Sequence, residues 1–360
     1  MNSIYLWRII YTFMIMIYHF DTHFFVRSIV CEGGVFGWYI AVDFFFMVSG
    51  FLLYQKAEKD GNTLNAFGYT LGRVKKIYPA YLLAFFITFG TIVYFTDWMH
   101  GFSKILESLM DNFLEAIMLQ GIGLNRGGAY VNYTAWYISV LLIAGYFIYW
   151  LLTKKKELFI HIIAPIIIIV GYSYLYRLVG CLDVTTATDG GLIISPALVR
   201  GFSGMCLGVY AAIFSRKLQE LAERKGNGAY VLLRVIGALL MLFVPIVSLR
   251  YGLKTYDFFY VFVMFFAVAI CFIPARREWN SICKKIVVYF SNLTLNMYLI
   301  HNVFREWIFP GVFGGAEKLS DTEKILIMLL YIVAVIIASV LMEFVLKALK
   351  KLFVKKGETH

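Results

Sequence analysis

An all-α, polytopic integral membrane fold of about ten transmembrane helices follows from three observations. First, 61% of the 360 residues are hydrophobic and only 15% are charged, with a mean hydropathy of +0.76. Soluble domains carry about 25% charged residues, so this composition belongs to a chain that lives in lipid. Second, the apolar residues gather into ten runs, each near the roughly 20 residues a helix needs to cross a hydrocarbon core. Third, Lys and Arg crowd into every second connection, the asymmetry of a chain threaded back and forth across a membrane. An aromatic content of 18% agrees, because Tyr and Trp collect at membrane interfaces.

The ten runs lie near residues 4–22, 35–54, 77–97, 133–152, 158–178, 193–214, 229–249, 257–274, 286–306 and 324–346. The first carries Arg8 and lacks a small-residue cleavage site, so it is expected to stay as a span rather than leave as a signal peptide. With the N-terminus in the cytoplasm, the cytoplasmic loops and tail hold 21 of the 33 Lys and Arg, the external loops and their borders 9, and Arg8, Arg200 and Arg234 fall in spans. Lys154-Lys155-Lys156, Arg276-Arg277 and Lys350-Lys351 are the clearest cytoplasmic markers. Both termini are therefore expected inside, Arg8 near the inner leaflet and His19 near the outer one. Residues 1–346 read as one membrane domain and 347–360 as a basic cytoplasmic tail. The net charge of +11 expresses topology and contact with membrane lipids, and no soluble basic face exists to bind nucleic acid.

The largest external segment is 98–132. Phe102, Ile105, Leu106, Leu109, Phe113, Leu114, Ile117 and Met118 repeat there at helical spacing, opposite Lys104, Glu107, Asp111 and Glu115. That pattern predicts an amphipathic helix over 102–118 lying in the outer interface. Gly121 to Tyr133 is Gly-rich and polar, fitting a loop over a cavity mouth or a plain connector equally well. No internal repeat is visible, which weakens a transporter built from duplicated halves. The five cysteines follow no metal spacing. Cys31 and Cys181 fall in external loops, where a disulfide and two free thiols are both open.

Ionisable groups inside spans carry the chemistry, because burying them is expensive. His19 follows Arg8 by eleven residues of about 100° each, which returns it to within about 20° of the same helix face, roughly 16–17 Å further on. Snorkelling suits Arg8 near a helix end but not His19. Asp43 opens an apolar run and needs His19, an Arg or water as a partner. Ser49-Gly50 admits either a packed helix or an acyl chain. Arg73 and Lys76, three apart, share a face where span three leaves the cytoplasm, and they could clamp phosphates or serve only topology. Arg200 sits in span six with Phe202, Met205 and the small pair Gly204 and Gly208. His301 lies level with His19 by topology, but no carboxylate or thiolate stands at a ligand spacing, so no metal is expected. His23 falls one turn past His19, and Glu343 can pair with Lys347.

The layout resembles the acyltransferase family 3 of polytopic membrane enzymes, the group that O-acetylates surface glycans. The resemblance rests on Arg8 and His19 in span one and on Asp43-Phe44-Phe45-Phe46 with Ser49-Gly50-Phe51-Leu52 in span two. It also rests on Arg73 with Ile77-Tyr78-Pro79, Trp136-Tyr137-Ile138-Ser139, Arg200 to Gly208, and Tyr298-Leu299-Ile300-His301. These six motifs, in order, cover nearly the whole chain. The resemblance implies acyl-CoA as donor co-substrate (acetyl-CoA in most members), a glycan or lipid-linked glycan acceptor outside, and a bacterial cytoplasmic membrane. Arg8 and His19 would correspond to the essential pair, and the Arg73 region to the basic donor-binding motif. That motif commonly has two arginines, where this chain has Arg73 and Lys76. The acidic residues that follow the span-four Trp in members with a fused secreted domain are Leu141 and Leu142 here, which points to a stand-alone member.

The expected site therefore has His19 as general base, with Arg8 and Asp43 as its catalytic partners. Arg73, Lys76, Ser49, Gly50 and Arg200 are expected at the donor, and Trp136, Tyr137 and His301 at the acceptor. Asp43 would fix the imidazole tautomer, and Arg8 or Arg200 would stabilise negative charge. A proton-coupled carrier of a small solute could use the same intramembrane charges, and a scaffold in a polysaccharide-export complex would need none of them.

Overall fold

The computed structural model describes residues 2–26, 29, 37–61, 64–96, 101–122, 131–184, 194–252, 255–274 and 280–357. Its long helices are α1 (Asn2–Phe24), α2 (Ala41–Asp60), α3 (Ala66–Phe95), α4 (Phe102–Asp111), α5 (Trp136–Lys154), α6 (Ala164–Leu178), α7 (Pro196–Lys225), α8 (Asn227–Ser248), α9 (Tyr256–Cys271), α10 (Ser281–Val303) and α11 (Asp321–Gly357). The described residues contain no strand, and each of the ten apolar runs falls on a helix. Eight helical segments are long and apolar enough to cross a membrane: α1, α2, α3, α5, α7, α8, α11, and α6 taken with the helical turns that lead into it (Lys156–Leu178, 23 residues). At 16 residues α9 is apolar but shorter. α10 is long but more polar, because Ser291, Thr294, Asn296, His301 and Asn302 all face the protein interior.

Several helices outrun their expected spans. α3 begins well before residue 77, where the Asn65 side chain caps it by accepting a 2.7 Å hydrogen bond from the Gly68 N–H. α11 starts in a reciprocal cap: Ser320 N–H donates to Glu323, and Glu323 N–H donates back to the Ser320 hydroxyl. It then continues to Gly357, so most of the expected tail is helical. Lys347 and Glu343 pair on it at 2.6 Å.

The external helix is shorter than its periodicity implied. α4 stops at Asp111 and a separate turn follows at Phe113–Ala116, because Asn112 leaves helical geometry and its amide donates to the Ser108 carbonyl. The break turns Glu115 inward, so a residue expected on the polar face is fully buried. Phe102, Leu106 and Met110 of α4 stay exposed, as an interfacial helix requires. Cys31, Arg276-Arg277 and residues 123–130 lie outside the described residues, and with Cys31 the question of a disulfide to Cys181.

The interior forms two large apolar clusters. One gathers α1, α2, the start of α3, α5, α6, α7, α8 and α9; the other gathers α1, α3, α5, α10 and α11. α1, α3 and α5 feed both and form the seam between them. The first cluster is held by a close crossing of α2 and α7. A Cβ placed on Gly50 would meet the Met205 carbonyl oxygen at 2.0 Å, and one on Gly208 would meet that of Met47 at 2.0 Å. The small residues thus let two backbones touch, the packing alternative for Ser49-Gly50 and for Gly204/Gly208. Pro245 inside α8 removes the N–H that would satisfy the Met241 carbonyl, and the buried Tyr11 hydroxyl of α1 donates to that carbonyl at 3.2 Å.

Candidate active site

A cavity of about 460 Å³ opens on the seam, walled by α1, α2, α3, α5 and α10. Its charged lining is wholly cationic: Arg8, Lys56, Arg73 and Lys76. Beyond them the wall is mostly apolar, with Ile15, Phe45, Val48 and Leu141, and a few hydroxyls from Thr12, Ser49, Tyr137, Thr294 and Tyr298. Lys56 is balanced by Asp60 at 2.7 Å. Arg73 donates to the Tyr69 hydroxyl at 2.8 Å, and Arg8 donates from Nη2 to Thr294 at 3.2 Å. Neither arginine meets a carboxylate within ion-pair distance among the described residues, so their charge is available to an anionic guest.

Two helix stripes run from this cavity to a pair of histidines. On α1 the cavity residues Arg8, Thr12 and Ile15 are spaced four and three apart, and His19 continues the face four residues on, about 6 Å further along the axis. On α10, Thr294 and Tyr298 line the cavity and His301 follows three residues later. The two helices run parallel here, and the rings of His19 and His301 lie 5.2 Å apart at an interplanar angle of 36°. Tyr137 and Tyr298 of the cavity wall have ring centroids 5.9 Å apart, and Tyr298 reaches on to His301 at 5.8 Å. His301 is fully buried; His19 is partly exposed.

A polar cluster surrounds the histidines on the side away from the cations. Tyr133 meets the His19 ring edge-on at 5.9 Å, and Arg305 sits 5.7 Å over the Tyr133 ring. Arg305 donates to Asn302 at 3.1 Å, to Thr22 at 2.6 Å and to Glu306, which also lies 3.4 Å from His23. A π-helical turn at Phe304–Ile308 shifts the register and swings Arg305 inward. Tyr18 packs edge-on to His19 at 5.3 Å and donates to Asp183 at 2.8 Å. Burial pushes the Asp183 carboxyl above its ordinary value, with the Tyr18 hydrogen bond acting the other way. The connection bearing Tyr133 is fixed by Glu115, which accepts backbone N–H bonds from Val131 at 2.9 Å and Asn132 at 2.5 Å. Asn132 in turn donates to the Leu299 carbonyl at 2.7 Å.

The expected site residues divide into three groups. Arg8, Ser49, Arg73, Lys76 and Tyr137 line the cavity, and Ser49 and Tyr137 share a 3.3 Å hydrogen bond. His19 and His301 pair beyond it. Asp43, Arg200, Gly50 and Trp136 go elsewhere. Asp43 takes its partner from α7: Arg200 donates to it from Nη2 at 2.6 Å and from Nε at 3.1 Å, with both side chains buried. Arg200 also donates to the Tyr39 carbonyl at 3.0 Å. With its oxygens engaged there, Asp43 does not orient His19. Gly50 packs on Met205, and Trp136 is buried 6.1 Å from Phe46. Sequence reasoning missed Thr294, Tyr298 and Lys56 in the cavity, and Arg305, Thr22, Tyr133 and Asp183 near the histidines. Tyr298 belongs to the Tyr298-Leu299-Ile300-His301 motif, and Arg305 falls at the external end of the ninth apolar run. Among the described residues no three His, Cys, Asp or Glu converge as metal ligands.

The described helices and this geometry belong to an integral, multi-pass membrane protein with a basic cavity leading to a histidine pair. Searches of curated proteins and of solved structures find no match. A family model described as an acyltransferase domain matches residues 1–344. The chain thus belongs to the acyltransferase family 3, and it is a membrane acyltransferase.

Proposed function

We propose that this acyltransferase moves an acetyl group from cytoplasmic acetyl-CoA to a hydroxyl of an extracytoplasmic or lipid-linked glycan, in a bacterial cytoplasmic membrane. The observation that carries the reading is the pair of stripes, Arg8-Thr12-Ile15-His19 and Thr294-Tyr298-His301, joining an anion-seeking cavity to a titratable pair. Acyl-CoA is a guest of that form: a phosphate-rich end for Arg73, Lys76 and Arg8, and a slender arm for the apolar wall. Its thioester would then reach the level of Tyr298 and the histidines. His19 takes the proton of the acceptor hydroxyl as its oxygen attacks the thioester carbonyl, and returns that proton to the departing CoA sulfur. The polar cluster of Tyr133, Arg305 and Asp183 offers the hydrogen-bond donors and acceptors that suit a hydroxyl-bearing glycan acceptor.

The test is CoA release by purified protein in lipid, given acetyl-CoA and bacterial envelope glycans. Wild type should release CoA only when glycan is present. His19→Ala should lose at least about 10²-fold, the scale of general acid–base catalysis, while remaining folded. Arg8→Ala should weaken donor use. Substantial turnover by a well-folded His19→Ala protein would remove His19 from the mechanism. Uptake of a solute without thioester loss would favour a carrier instead.

A further inference from the structure

His301 Nδ1 lies 2.6 Å from the Tyr298 carbonyl oxygen. A carbonyl only accepts, so Nδ1 must carry the proton. In the neutral ring the lone pair then sits on Nε2, which is buried and has no hydrogen-bond partner. Across the 5.2 Å between ring centroids, His19 Nδ1 is also buried and also without a partner. Leaving either group unsatisfied forfeits the hydrogen bond it would make with water in the unfolded chain, a cost that favours any arrangement pairing the two. One arrangement satisfies both: His19 Nδ1–H donates to His301 Nε2, after a small ring rotation or through one bridging water. The tautomer of His301 is thus imposed by backbone, and it imposes the complementary tautomer on His19.

We propose that His301 is a positioning residue, which fixes His19 as the Nδ1–H tautomer and leaves the lone pair on Nε2 to act as the base. It fills the role that Asp43, committed to Arg200, cannot fill. The proposal rests on the reading of His19 as general base. During transfer the acceptor O–H proton moves to His19 Nε2 as the new O–C bond forms and the C–S bond breaks. The positive charge is then shared along Nδ1–H···Nε2 with His301 until Nε2 delivers the proton to the CoA sulfur. The charged and titratable groups around the pair are Arg305 with Glu306 and His23, and Tyr18 with Asp183; Tyr133 and Tyr298 also face it.

Two measurements decide it. Solid-state NMR of ¹⁵N-histidine protein in lipid, with resonances assigned by the single variants, should show His19 protonated at Nδ1 and not at Nε2. That pattern should persist in His301→Gln, whose amide oxygen can still accept, and become mixed in His301→Ala. A His19 proton on Nε2 in wild type would overturn the proposal whether or not any turnover is seen. In the glycan-dependent assay, His301→Ala should lower kcat about 10²-fold with donor KM within threefold, and should move the acid limb of the pH profile. His301→Gln should recover part of the loss. A folded His301→Ala protein within threefold of wild type, with an unchanged pH profile, would also overturn it. An active His19→Ala protein would instead strike the general-base reading, so the two failures are distinguishable.

Discussion

At the scale of single residues, the decisive fact is which charges are already spent. Arg200 and Asp43 neutralise each other out of contact with water, whereas Arg8 and Arg73 meet no carboxylate within ion-pair distance among the described residues and face a cavity. Losing one member of a buried pair strands the other, typically at 3–5 kcal/mol. Asp43→Ala should therefore lower folded yield and thermal stability, and the protein that does fold should keep the wild-type pH profile of transfer. A stable Asp43→Ala protein with a displaced profile would return Asp43 to the chemistry. On the proposed reading, in which they hold a remote part of the donor equally in ground and transition states, Arg73→Ala and Lys76→Ala should each raise donor KM severalfold while leaving kcat nearly unchanged. Arg8, His19, Arg73 and Lys76 were legible in the sequence because charge in a span is conspicuous. Thr12, Ile15 and Thr294 were not, since neutral side chains at those positions look like any lipid-facing or packed residue. The Asp43–Arg200 pair joins residues 157 apart in the chain, and only helix packing decides between Arg200 and His19.

At the scale of elements, the helices themselves were legible because the bilayer forces every backbone group to bond within its segment. Their contacts were not. The α2–α7 crossing depends on Gly50 and Gly208, each with a carbonyl oxygen 2.0 Å from where a Cβ would stand. Gly50→Ala and Gly208→Ala should part the two helices and lower the thermal midpoint, and the double variant should not sum the single losses, because both relieve one contact. A neutral effect on thermal unfolding would contradict this packing. The Glu115 turn carries a pH dependence. Burial raises its carboxyl from an ordinary 4.5 to about 7, against the Asn132 and Val131 N–H bonds that favour the charged form. Between those values the folded state holds the proton more tightly, so its stabilising contribution is complete below 4.5 and fades as pH rises through 7. The span amounts to roughly 3 kcal/mol at about 1.4 kcal/mol per pH unit. Glu115→Gln should remove that slope, so its thermal midpoint should gain on wild type between pH 5 and 8. Midpoints that stay parallel would place the turn's stability elsewhere. Helical periodicity hid this residue, because Glu115 falls on the polar stripe of a helix that Asn112 interrupts.

At the scale of the whole molecule, the cavity lies where the two apolar clusters meet, with α1, α3 and α5 shared between them. A guest there touches α2 and α3 as well as α10, so it bridges both halves and binds only when they are docked. Such a ligand stabilises the folded state by about 2.7 kcal/mol at a hundred times its dissociation constant. Saturating CoA should therefore raise the thermal midpoint of the protein in lipid. Exposed charges are screened over about 8–10 Å at physiological salt, and the mouth cations are partly exposed, so the shift should shrink as salt increases. Pantetheine, which has the apolar and amide arm but no phosphates, separates the two halves of the recognition. If the cations carry the affinity, pantetheine should give a much smaller shift than CoA at equal concentration. The double variant Arg8→Ala, Arg73→Ala should then lose most of the difference between the two compounds. Equal shifts for CoA and pantetheine in wild type would mean that the arm binds and the cations serve topology alone, the alternative that charge counting left open for Arg73 and Lys76.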